Sequence, residues 1–449
     1  MQTNRLYCGA SRGLITPPEN LIPNLRGLRD NTFGGVLDDI LVRASAVGHG
    51  ENMALMIAFD LDKAPYPAEN LAKISERTGI PEENIFFFST HTHAAPITGY
   101  RPEETINDVR LKAPEVQEAT REYEKQVIDT MLKAVGEAVG GMRPARMGYA
   151  YGKSYINVNR NQVYEYTDEH GELHTEGRIG VNSQAPVDHT LFVMKFEDMN
   201  GQPISFFMNY PVHNVVMHAN TCCGGKMGIS GDIGGSVCRL LEVKFDGSTA
   251  MWSSGAAGDV NPLILNEIHY PDPKTGRMAK CRISGGATSV LTALAARHFA
   301  DVMKAVRNIV CTAESAPIAG IVDWSFTPGR NVVTRDDGST ETIVGKGVDP
   351  YEIRLHLVRL GDVALYGFSG ELYSSLGRRI KEISPLENTI LINHDASLMA
   401  RSGYIFDDET LARDVSNKLP GHRSSHMLPG YILESLEKHT LEMFKKLGN

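Results

Sequence analysis

Apolar runs bounded by turn residues alternate along the whole chain with segments whose apolar positions recur every three or four residues. Ile40–Val47 and Met53–Asp60 read as two strands joined at Gly48-His49-Gly50, a hairpin signal. Ala68–Arg77 reads as a helix and Asn84–Ser89 as a buried strand, after which Pro114–Val139 has the apolar spacing of a long helix. His189–Phe196 and Pro203–Asn209 form a second predicted hairpin about Asn200-Gly201. Ile233–Val243 and Ser289–Val306 read as helices, with Ala250–Ser254 a strand between them. Leu355–Leu360 and Val363–Phe368 pair across Gly361-Asp362. Leu372–Glu382 reads as a helix, Thr389–Asn393 as a strand, and Ile432–Lys446 as a closing amphipathic helix. The pattern predicts an α/β fold, a layered mixed β-sheet flanked by helices, in a single large domain over residues 1–449. Pro328–Pro350 and Asp407–His426, rich in Gly, Asp and Ser, are expected to be surface excursions or lids.

Composition narrows the class. With 449 residues, 42% hydrophobic and 22% charged, the chain can bury a large core and needs neither disulfide nor metal merely to fold. Forty-five Lys and Arg against 54 Asp and Glu leave a net charge of −9, which argues against nucleic acid or an anionic membrane as the main partner. No apolar stretch approaches the roughly 20 residues of a membrane span. The N-terminus has no apolar leader, so a cytoplasmic location and free thiols at all six cysteines are expected. A small-molecule substrate is the expected partner, without nucleic acid or stable membrane association, and homo-oligomerisation is left open.

The candidate chemistry sits just past the predicted strands. Ser89-Thr90-His91-Thr92-His93 follows the apolar run Ile85–Phe88, and residues two apart on an extended chain share a face. Both imidazoles can therefore act together, as metal ligands or in catalysis. The plain alternative is two rings bonded to loop carbonyls. His213, in Asn209-Tyr210-Pro211-Val212-His213, follows another apolar strand and alone would more often be structural. Ser230-Gly231-Asp232 opens a helix, where capping is the default reading. Gly258-Asp259-Val260-Asn261-Pro262 forms a tight turn after a strand. Glu371, between a strand and a helix, suits a first helical turn, and Tyr404 follows Gly403 in a loop.

In this order, these elements resemble the catalytic domain of the neutral/alkaline non-lysosomal ceramidase family, without its C-terminal immunoglobulin-like domain. The resemblance runs from Gly9-Ala10-Ser11-Arg12-Gly13-Leu14-Ile15-Thr16-Pro17-Pro18 to Tyr404. It implies one zinc ion per chain held by His91, His213, Glu371 and Tyr404, with His93 toward the substrate carbonyl and Arg160 as the active-site arginine. A nitrogen- and oxygen-rich set suits a catalytic zinc that activates water. The implied reaction is hydrolysis of an amide (N-acyl) bond, with ester, lactone or glycoside cleavage as the alternative and a binding protein without turnover as a third reading. Asn261 stands where those enzymes usually have serine; it can hydrogen-bond at the reaction centre but cannot relay a proton as a hydroxyl does. With no lipid-anchoring segment, the expected substrate is soluble and polar rather than membrane ceramide.

Overall fold

The computed structural model describes residues 4–28, 31–99, 113–334, 340–400, 402–414 and 426–448. Its largest sheet has eight strands in the order Thr249–Ser254, Pro203–Tyr210, Thr190–Asp198, Arg143–Lys153, Leu6–Leu14, Leu41–His49, Asn52–Phe59 and Ile85–Ser89. The two edge strands run parallel to their neighbours, while the inner pairs are antiparallel. A second sheet orders Ile318–Thr327, Tyr351–Leu360, Val363–Phe368 and Asn388–Ile392, again with a parallel pair at its end.

Period-two side-chain alternation explains the layers. In Asn52–Phe59, Leu55, Ile57 and Phe59 face an apolar layer shared with helices Pro114–Gly140, Asp232–Lys244 and Ala287–Arg307. Ala54, Met56 and Ala58 face the opposite way, into a layer shared with Leu365, Ile390 and Ile392 of the second sheet. The second sheet's other face, through Tyr366 and Phe368, meets helices Ser374–Ile383 and Ile432–Lys446. The result is helix, sheet, sheet, helix. Strands buried on both faces read as continuous apolar runs, which is why they were visible along the chain.

The large sheet curls so that its two ends approach each other. Phe88, on one edge strand, lies edge-on to Phe207, near the other edge, with ring centroids 6.2 Å apart. This brings together the turns that follow Ile85–Ser89 and Pro203–Tyr210. A three-stranded sheet, Val260–Pro262, Asn157–Thr167 and Leu173–Asn182, and the hairpin of Glu267–Pro271 with Met278–Arg282 add to that end.

The predicted α/β layering is present, with one local correction. Leu372 opens no helix: Glu371–Leu372 is a short strand and the helix begins at Ser374, because Asn393 Oδ1 takes the Leu372 N–H and Asp259 takes the Ser374 N–H. The polar stretch Asn161–Asn182 forms a strand hairpin. Pro328–Pro350 carries the paired strands Arg330–Thr334 and Thr340–Val344, and Asp407–His426 includes helix Asp408–Asp414. Residues 335–339 and 415–425 of those two segments, and the polar stretch Tyr100–Asn107, lie outside the described residues. No helix among the described residues is long and apolar enough to cross a membrane.

Candidate metal centre

Each proposed ligand is placed by the end of a strand. His91 follows Ile85–Ser89 and adopts a left-handed backbone, φ 60°. His213 follows Pro203–Tyr210, its backbone N–H bonded to the Val260 carbonyl at 3.1 Å. Glu371 and Tyr404 are register partners in a parallel pair of two-residue strands. The side chains converge: the His91 and His213 rings are 5.3 Å apart, His213 Nε2 is 2.8 Å from Glu371 Oε2, and His91 Nε2 is 3.7 Å from the same oxygen. The Arg160 guanidinium lies 4.9 Å from the Tyr404 ring centre, and Arg160 and Glu371 both act electrostatically on the Tyr404 phenol.

The hydrogen bonds around His213 conflict. Nδ1 faces the Val260 carbonyl at 3.0 Å and Nε2 faces the Glu371 carboxylate at 2.8 Å. A neutral imidazole carries one N–H, so either tautomer sets a lone pair against an oxygen acceptor. The imidazolium would satisfy both, but burial, aided by Arg160, lowers the His213 pKa to about 4. Burial would raise the Glu371 carboxyl, yet His91 and His213 hold it well below the usual carboxylate range. A cation between Nε2 and the carboxylate resolves the conflict, with Nδ1–H left to donate to Val260.

His91 has the complementary arrangement. Its Nδ1 lies 2.9 Å from Asp62 Oδ1 and 3.1 Å from the Asp62 carbonyl, leaving Nε2 to face the cluster. Carboxylates behind ligating histidines fix the tautomer and raise ligand basicity. Burial pulls the His91 pKa down, but Asp62 and Glu371 outweigh it and hold the ring above its ordinary value. Burial pushes the Tyr404 phenol up to about 12 against the pull of Arg160. Two imidazoles, a carboxylate and a phenol, all buried or nearly so, fit a divalent cation of zinc's preferences.

The remaining candidates line one cavity beside this cluster. His93, Arg160, Asn261 and Tyr404 share its wall with His218 and Glu267. His93 Nε2 is 3.1 Å from His91 Nε2, and Arg160 Nη1 is 3.4 Å from both His213 Nε2 and Asn261 Oδ1. Asp259 faces elsewhere: its carboxylate accepts from the Ser374 N–H and hydroxyl and from Asn159 Nδ2, all at 2.8 Å. It joins the strand that carries Arg160 to the helix that follows Glu371. Asp232 holds the loop after His213, accepting the Met217 N–H at 2.8 Å.

Three residues at the site escape the sequence reading: Asp62, His218 and His394. Asp62 had one available signal. Asn52–Phe59 and Ile85–Ser89 are parallel neighbours with Phe59 opposite Ser89, so residues just past both C-terminal ends meet.

No protein-family model matches the chain, and no curated protein matches it by sequence. Solved structures do match. The neutral ceramidase from Pseudomonas aeruginosa aligns with 99% of this chain and 74% of its own, at 14% identity and a TM-score of 0.69. A ceramidase complexed with C2 aligns with 99% of this chain and 75% of its own, at 14% identity and a TM-score of 0.71. The fold of this chain is that of neutral ceramidase.

Proposed function

We propose that the protein is a zinc-dependent hydrolase that cleaves an amide (N-acyl) bond in a soluble, polar small molecule. The observation that carries this reading is the His213–Glu371 contact, which neither neutral tautomer of His213 satisfies and a cation does. His91, His213, Glu371 and Tyr404 would hold the zinc, which when bound supplies Lewis acidity and an activated water. The ceramidase fold supports amide hydrolysis as the reaction class.

The chain's own residues then have distinct tasks. Arg160, buried and charged, donates to the oxygen on which negative charge develops, and Asn261 Oδ1 holds it from the side at 3.4 Å. His93, partly exposed at the cavity wall, carries a ring nitrogen that can give a proton to the leaving amine. Asp62 and the Val260 carbonyl orient the two ligating rings. Glycoside cleavage finds less support, since it calls for paired carboxylates at the bond and Asp259 is committed to Ser374 and Asn159.

The test is a panel of N-acyl, ester and glycoside substrates offered to the zinc-loaded protein. Turnover confined to N-acyl compounds is expected. Hydrolysis of esters or glycosides alone would replace the reaction class, and inertness on every panel would replace the enzyme reading.

A further inference from the structure

The segment Asn393–Ala396, just past the strand Asn388–Ile392, clasps parts of the centre that come from distant stretches of chain. Asn393 Oδ1 accepts the Leu372 N–H at 3.2 Å, and the His394 N–H reaches the Gly370 carbonyl at 3.3 Å, so Glu371 is held on both sides. Asp395 Oδ1 accepts the Phe87 N–H at 3.0 Å, and the Ala396 N–H donates to the Phe87 carbonyl at 2.8 Å. Phe87 lies on the strand that leads into His91. Between these anchors, His394 is buried and held in the left-handed region, φ 63°. Its ring stacks on that of His91, with centroids 3.8 Å apart and planes 16° from parallel.

The stack supplies a constraint that Asp62 does not. A hydrogen bond at Nδ1 fixes one atom of the His91 ring but leaves it free to tilt about that contact. A parallel ring against its face removes the tilt and so sets the direction of Nε2. Left-handed backbone is uncommon outside glycine, and histidine is among the side chains that adopt it more readily. We infer that His394 is a positioning residue, whose ring fixes the plane in which His91 presents Nε2 to the cation. The inference rests on the reading of His91 as a ligand.

The experiment measures zinc affinity of the full chain by competition with a chromophoric chelator, with thermal melts of the zinc-free proteins run alongside. His394→Asn removes the ring yet tolerates a positive φ; His394→Gly does so without strain and serves if the first variant fails to fold. His394→Phe keeps a flat ring without nitrogen. Loss of the ring should weaken zinc binding about 10–100-fold, as loss of other partners behind ligating histidines does, while His394→Phe stays within a few-fold of the parent. Parental affinity in the ringless variants would overturn the inference, as would equal weakening in all three. His213→Ala is the companion measurement. If it keeps full zinc affinity, the proposed centre itself is wrong; if it loses zinc while His394→Asn does not, only the positioning role falls.

Discussion

Glu371 and Tyr404 face each other across a parallel ladder of two residues per strand, with the Glu371 N–H bonded to the Gly403 carbonyl at 2.9 Å. So short a ladder contributes little stability by itself. Its consequence is geometric: it places two oxygen donors from different loops on one side of the imidazole pair. Tyr351 reinforces it, donating its hydroxyl to the Tyr404 carbonyl at 2.9 Å.

The first prediction concerns metal content. Protein purified without added metal should contain close to one zinc per chain by elemental analysis. Glu371→Gln and His213→Ala should weaken binding by more than the roughly 10–100-fold typical of losing an outer partner. Both should remain folded by circular dichroism, because neither side chain belongs to the three apolar layers. Full activity in demonstrably metal-free protein would sink the centre.

A second prediction separates metal holding from charge stabilisation. His93→Ala and Arg160→Ala should keep their zinc and lose about 10²–10³ in kcat, with smaller change in KM, as expected when a donor acts on charge that develops during reaction. Elemental analysis beside steady-state kinetics distinguishes the cases. Zinc lost together with activity would move that residue among the ligands.

Asp62 supplies the third. Asp62→Asn keeps the size of the side chain but removes the charge that supports the Nδ1–H of His91, so zinc affinity should drop about 10–100-fold with the fold retained. Chelator competition reads this directly, and unchanged affinity would assign His91's orientation to the Asp62 carbonyl and His394 alone.

The contrast between Asp62 and the histidines shows what the chain reveals by itself. His91 and His213 are legible because each closely follows an apolar strand buried on both faces. Asp62 sits in Asp60-Leu61-Asp62-Lys63-Ala64-Pro65, a stretch that reads as an ordinary turn until parallel pairing beside Ile85–Ser89 is known. His394 is harder still, since its role depends on contact between two sheets and a backbone conformation that composition does not specify. The hairpins about the cavity are less legible, because one face of each meets solvent and dilutes the apolar pattern. Local pattern carries the strands; partners across the fold do not show in it.

The fourth prediction addresses stability. Asp395 Oδ2 is 2.8 Å from Arg354 Nη1 and 2.9 Å from His356 Nδ1, with all three side chains buried. Asp395→Ala would leave Arg354 buried without its carboxylate, a class of change that costs about 3–5 kcal/mol. Burial acts to raise the Asp395 pKa, but His356 and Arg354 outweigh it and hold the carboxyl below its ordinary value. Its ionisation therefore contributes stability above the unfolded pKa of about 4, and that contribution is lost as the pH falls through the lower, folded value. Urea denaturation should show the gap between parent and variant narrowing below that pH; a gap that widened on acidification would contradict the sign.

The last prediction concerns substrate. Beside His93 and Arg160 the cavity presents Asn261, Asn266, Glu267 and His218, against an apolar wall that includes Ile179, Val215 and Leu265. Partial burial would raise the Glu267 carboxyl, but Arg282, 2.7 Å away, and Lys280 hold it below its ordinary value, so the wall keeps an anion at neutral pH. Laying a long alkyl chain along ionised and amide groups would strip their water without replacing its hydrogen bonds. The exposed side chains nearby, Leu263, Ile264 and Ile268, do not line the cavity. A short acyl group against the apolar wall, with a hydroxylated or cationic amine part toward Glu267 and the amides, uses both sides. Short polar N-acyl substrates should therefore exceed long-chain ceramide in mixed micelles by at least about tenfold in kcat/KM, equivalent to about 1.4 kcal/mol. Glu267→Gln should narrow that margin mainly through KM. A preference for ceramide would replace the substrate class while leaving His91, His213 and Glu371 in their roles, because none of those three depends on what the far wall of the cavity accepts.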